Sequence, residues 1–201
     1  MPTKAVTKAS YHHGDLESAL LEAAISLVRK YGPDQLSLRA VSAEIGVSPS
    51  ASYHHYRDKD ALVSAIGVVL FDRLATMQEL AIAKIKGSGP QVAIKKFEEM
   101  GKAYFEWATT EPNLYRLMFG GFCEMNMEAH ESKAWNLLSE GLDKLVTEGV
   151  IDMEVRLGGE ITVWSAVHGA SSLAIEGLIS PSDFSMVLKS IHRSLGVKII
   201  S

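Results

Sequence analysis

The feature that most restricts the fold is a double stop and restart in "LSLRAVSAEIGVSPSASYHHYRDKDAL", residues 36–62. Ser37 is placed to N-cap a short helix whose inner face is Leu38, Val41 and Ile45, and Gly46 ends it. Ser48 then precedes Pro49, pairing a capping side chain with a proline at the first helical position. A further short helix therefore starts only a few residues after the previous one stops. Two short helices joined by a Gly-containing turn and packed on a longer first helix form a helix-turn-helix. An ordinary hairpin in a core is the alternative, but Ser, Pro, Ser, Ala, Ser and Tyr bury little apolar area.

The rest of the chain reads as helix after helix. Leu16, Leu20, Ala23, Ala24, Leu27 and Tyr31 recur on one helical face, which Gly32 and Pro33 bring to an end. Asp58 is placed to cap a fourth, longer helix carrying Val63, Ile66, Leu70, Leu74 and Met77 along one side, broken by Gly87, Ser88, Gly89 and Pro90. Helices are expected over about 91–110, briefly after Glu111 and Pro112, and over about 125–148, 154–178 and 181–195. No alternating strand pattern of useful length occurs, so the fold class is all-α. The single cysteine, Cys123, cannot form an internal disulfide and suits a reducing cytosol. Residues 1–10 lack an apolar leader, and the uncharged stretch 161–175 falls short of the roughly 20 residues a membrane span needs. A soluble, cytoplasmic protein with no membrane partner is expected. With a net charge of −4, any nucleic-acid surface must be local.

In a helix-turn-helix the second short helix lies in the DNA major groove with its N-terminal residues toward base edges. Here that helix is roughly 49–55, and its start, Ser48, Pro49, Ser50 and Ala51, is small enough for close approach. Residues 14–65 resemble the DNA-binding segment of the TetR family of bacterial transcriptional regulators. The shared features are the Ser-x-Arg start, Val-Ser after Gly, the Tyr-x-His-aromatic ending and the Lys that follows. The resemblance implies a two-domain homodimer that binds a double-stranded DNA operator and, in its C-terminal part, a small-molecule effector. It divides the chain into a flexible arm (1–13), a three-helix helix-turn-helix domain (14–62) and a larger helical ligand-binding and dimerisation domain (63–201). It implies that Ser37 and Lys59 bind phosphates, that Arg39 reaches a base, and that Ser48, Pro49, Ser50 and Ala51 face base edges. Tyr53 and His54 would lie along the backbone or its nearest base, and His55 would be structural. Two positions depart from the family: Ser52 stands where a buried Leu is common, and Tyr56 where Phe is commonest.

The charge of residues 1–62 is balanced, with basic Lys4, Lys8, Arg29, Lys30, Arg39, Arg57 and Lys59 against acidic Asp15, Glu17, Glu22, Asp34, Glu44, Asp58 and Asp60. Nonspecific affinity through counterion release should be modest. His54 and His55 are neighbours, about 100° apart around a helix, and do not converge as metal ligands must. No metal, cofactor or catalytic set is expected. His12 and His13 precede the first helix, either as an arm following the minor groove or as a solvated lead-in.

The C-terminal part is rich in Met and aromatic residues, which fill cores by default but also line ligand cavities between helices. Candidate lining residues by helical phase are Tyr104, Met118, Phe122, Trp135, Trp164 and His168. The Trp164-x-x-x-His168-Gly169 segment, with "EPNLYRLMF" at 111–119, resembles the WHG type of C-terminal domain in the same family. His168 reads either as a pH-sensitive or ligand-contacting group or as a buried, hydrogen-bonded histidine. The last two long helices are expected at the dimer interface through Met186, Leu188, Ile191 and Leu195. The resulting expectation is a dimeric, effector-responsive repressor. A helical enzyme with a His-containing pocket, and an interaction scaffold that has lost DNA readout, are the alternatives.

Overall fold

The computed structural model describes residues 13–121 and 132–198, and no strand occurs among them. Ten α-helices follow in order: α1 (His13–Tyr31), α2 (Leu38–Glu44), α3 (Pro49–His55), α4 (Lys59–Ala83), α5 (Pro90–Thr110), α6 (Pro112–Phe119), α7 (Lys133–Thr147), α8 (Met153–Arg156), α9 (Gly159–Ile175) and α10 (Phe184–Ser194). The expected arm falls on residues of which all but His13 lie outside the described ones, and α1 already includes His13.

Local chemistry sets the boundaries around α2, α3 and α4. Ser37, Ser48 and Asp58 each accept a hydrogen bond from the backbone N–H three residues on, at 3.1, 3.3 and 2.8 Å. Gly46 ends α2 with φ +70°, a left-handed conformation that most side chains resist. Buried Leu20, Ala24 and Val28 of α1, Val41 of α2 and Leu62 and Ile66 of α4 belong to one apolar cluster, which continues without a break into the C-terminal helices. The expected boundary at residue 62 thus falls inside α4, a helix shared by both parts.

Three expectations need correction. The helix over 154–178 is two helices, because Leu157 leaves the helical conformation and Gly158 turns left-handed at φ +74°. On α4 the inward position after Leu74 is Gln78, while Met77 is exposed, because a straight helix carries the i+4 row inward there. On α10, Leu188, Ile191 and Leu195 are buried in the chain's own core and only Met186 faces out. That short helix has a single apolar stripe and uses it internally.

Candidate nucleic-acid interface and interior cavity

The nine residues expected to meet DNA lie on α2, α3 and their flanks. Ser37, Arg39, Ser48, Pro49, Ser50, Tyr53 and His54 are exposed, and Ala51 and Lys59 are half-buried. Arg39 makes no ion pair with a described residue, so its guanidinium is open to a ligand. The short α3 is held from behind by Ser52, which is fully buried. Ser42 Oγ donates to the Leu38 carbonyl at 2.6 Å, and Ser52 Oγ lies 2.6 Å from Ser42 Oγ. A hydrogen-bonded serine pair thus joins α2 to α3 at the place where a leucine side chain would pack. Tyr56 is also buried, its phenol pushed up to about 12 by burial and then by the charge of Glu17. Its Oη has no hydrogen-bond partner among the described residues. No group of three or more His, Cys, Asp or Glu side chains among the described residues could hold a metal ion.

Besides the shared apolar cluster, polar contacts among the described residues tie this reading unit to the rest of the chain at two places. Arg73 of α4 pairs with Glu22 of α1. At the end of α1, Arg29 Nε donates to both carboxylate oxygens of Glu111 at 2.9 Å, and Asn113 Nδ2 of α6 donates to the Arg29 carbonyl at 3.1 Å. The start of α6 therefore closes the C-terminal end of α1, through its N-cap residue Glu111 and through Asn113.

Among the C-terminal helices a cavity of about 50 Å³ opens between α4, α5, α7, α9 and α10. Phe71, Phe97, Met100, Trp135, Trp164 and Leu188 give it an apolar wall, and Gln78, Tyr104 and His192 bring polar groups to it. Of the expected lining residues, Tyr104, Trp135 and Trp164 are present. Met118 is packed in the core instead, because α6 turns that side toward its neighbours. Phe122 lies outside the described residues. His168 stands behind the wall. Its Nδ1 is 3.0 Å from Tyr104 Oη of α5 and 2.9 Å from Tyr115 Oη of α6, which also donates to the His168 carbonyl at 3.0 Å. A neutral ring with Nδ1 as acceptor for Tyr104 satisfies this network, and burial lowers the pKa of His168 accordingly. Burial also raises both phenols.

Sequence reasoning passed over Gln78. The signal was its place in the row Leu70, Leu74, Gln78, where a polar residue continues an inward stripe.

Residues 20–66 match a family model described as bacterial regulatory proteins, tetR family. Residues 97–193 match one described as tetracyclin repressor-like, C-terminal domain; that description does not name the WHG type. An HTH-type transcriptional repressor of Mycobacterium tuberculosis is 29% identical over 97 residues, 48% of this chain and 48% of that protein. The match thus spans about half the length of that relative. A protein of unknown function from Rhodococcus sp. RHA1 superposes with a TM-score of 0.69 at 28% identity, covering 94% of this chain and 99% of the other. RolR in complex with resorcinol superposes with a TM-score of 0.70 at 12% identity, covering 92% and 90%, a likeness of fold alone. No described helix is long and apolar enough to cross a membrane.

Proposed function

The chain belongs to the TetR family of bacterial regulatory proteins and is a DNA-binding transcriptional regulator, and on that premise we propose that it is an effector-responsive repressor acting as a homodimer on a near-palindromic operator. The observation that carries this reading is the continuity of α4. One end follows the capped, exposed α3, and its middle forms a wall of the interior cavity through Phe71, Leu74 and Gln78. Each subunit would place α3 in one major groove, with Arg39 gripping a base and Ser37 and Lys59 holding phosphates. A protein of the same fold, RolR, is seen in complex with the small molecule resorcinol. Here the interior cavity is the proposed place for an effector.

Two routes lead from the cavity to the groups that hold the reading unit. Phe71 of α4 meets both Trp164 of α9 and Phe119 of α6 edge-on, with ring centroids 6.4 and 5.9 Å away. Tyr104 on the cavity wall bonds to His168, which bonds to Tyr115 of α6. An effector that spreads these helices would shift α4 and α6 together, and with them the Arg73–Glu22 and Arg29–Glu111 pairs that seat α1. To move a 1:99 balance to 99:1 it must prefer the released state by about 5.5 kcal/mol.

The dimer is proposed on the outer side of α9, where Ile161 and Leu173 are exposed, together with Leu157 just before it and Met186 of α10. Exposed apolar clusters of this kind mark association surfaces.

The test is titration of the purified protein on DNA from its own upstream region, against random competitor and at two salt concentrations. Tight binding that competitor does not displace, with a symmetric footprint, supports the proposal. Equal affinity for competitor from a folded dimer would favour a scaffold that no longer reads DNA.

A further inference from the structure

Gln78 lines the cavity with only half of its side-chain amide bonded to described residues. It is 5% exposed, in the middle of α4. Its Nε2 donates to the Met100 carbonyl at 3.2 Å, and its Oε1 has no partner among the described residues. The orientation of the amide is fixed by chemistry, because a carbonyl only accepts and the amide must turn its NH2 toward Met100. What remains without a partner is an acceptor, on a side chain that lines the cavity. A buried amide oxygen left without a donor is a penalty that a ligand donor would remove.

Of the other polar groups on the wall, Tyr104 Oη is held by His168, His192 Nε2 lies 3.4 Å from Glu98, and the Trp135 and Trp164 indoles are donors only. No Lys, Arg, Asp or Glu among the described residues lines the cavity. An anion would find no lysine or arginine, and His192 already faces Glu98; a cation would find no carboxylate among the described wall residues. Burying either unpaired is prohibitive. The rest of the wall is aromatic and aliphatic, with Gly101 of α5 adding no side chain.

We propose that the cavity selects a small, uncharged, predominantly aromatic or apolar molecule carrying one N–H or O–H donor, and that Gln78 Oε1 is the acceptor that recognises it. This rests on the reading of the cavity as the effector site. An open volume of about 50 Å³ is smaller than a ring needs, so the ligand enters as Trp135 and Trp164 give way. These two half-buried indoles lie with ring centroids 5.3 Å apart and report binding by fluorescence.

Phenol and toluene are the probes, because they have nearly the same size and differ in the donor. In a cavity with no acceptor, toluene binds more tightly, since phenol loses its water bond without replacement. With Gln78 present, phenol should bind about ten-fold more tightly than toluene. In the Gln78→Met variant the order should reverse. That variant should keep the wild-type thermal midpoint or exceed it, because methionine fills the same space without a buried amide. Midpoint shifts and tryptophan fluorescence are measured for both proteins with both probes. If phenol binds no better than toluene in the wild type, or keeps its advantage in the variant, the donor assignment is overturned while the cavity stands as a ligand site. If neither probe shifts the midpoint or the fluorescence, the assignment falls together with the effector-site reading.

Discussion

Ser42 has one hydroxyl proton, and it goes to the Leu38 carbonyl at 2.6 Å. Ser52 must then be the donor in the 2.6 Å bond between the two serines. This makes the pair asymmetric. Ser42→Ala leaves a fully buried donor with no acceptor, and should lower unfolding free energy by about 1–3 kcal/mol. Ser52→Ala leaves Ser42 still bonded, and should cost less. The double variant should cost less than the sum, as expected for residues in one network. Urea denaturation of the three proteins measures this, and a larger loss for Ser52→Ala would reverse the donor assignment. His168 gives a second prediction at this scale. Its pKa in the folded protein is lowered by burial, so below about 6.5 the unfolded chain binds the proton more readily. Its contribution to stability is therefore full above that value and is lost as pH falls through the folded pKa. The groups facing the ring, Tyr104 and Tyr115, are uncharged phenols that cannot compensate the new charge. The thermal midpoint of the wild type should fall more steeply than that of His168→Gln between about pH 8 and pH 5. Parallel curves would show that the ring protonates freely in the fold.

Helix starts were legible in the sequence because caps are local chemistry. Ser37, Ser48 and Asp58 sit where a side-chain oxygen can reach the N–H three residues on, and each does so. Asp58→Ala should cost about 1 kcal/mol by loosening the start of α4, seen as a lower urea midpoint at an unchanged slope. What escaped the sequence depends on the neighbours each helix meets. Met77 and Gln78 are both compatible with the phase of α4, and only the position of α5, whose Met100 carbonyl receives the amide, decides which turns inward. Leu188, Ile191 and Leu195 form a stripe that would suit a partner subunit as well as the chain's own core, and periodicity cannot distinguish the two. Gly158 could have been read as a break, but the apolar residues on either side masked it. The reading element itself yields a separate prediction. Arg39 is exposed on α2 and makes no ion pair with a described residue, so Arg39→Ala should leave stability within about 0.5 kcal/mol of the wild type. Operator affinity should fall by about 1–3 kcal/mol with specificity relaxed at one base position. An unchanged affinity would favour the scaffold reading.

At the scale of the whole molecule, the two terminal helices divide their apolar residues differently. α10 buries its stripe in the chain itself, whereas α9 also carries apolar side chains on its outward side. Val163, Val167 and Ala170 face the core, and Ile161 on the other side is 62% exposed, in company with Leu157 and Leu173. Only a second surface can remove that outer side from water, and in a two-fold dimer the same residues from both chains would meet. Ile161→Glu brings two carboxylates toward that seam and leaves the inward face of α9 untouched. It should give a folded monomer in sedimentation, with the helical content of the wild type. Each reading unit should then keep its affinity for an isolated half-site, because α2, α3 and their supports are remote in the chain. Affinity for the full operator should drop by about 10²–10⁴-fold, since the second half-site is no longer presented at high effective concentration. A variant that stays dimeric would place the seam elsewhere. A monomer with full operator affinity would show that one subunit suffices to read the site.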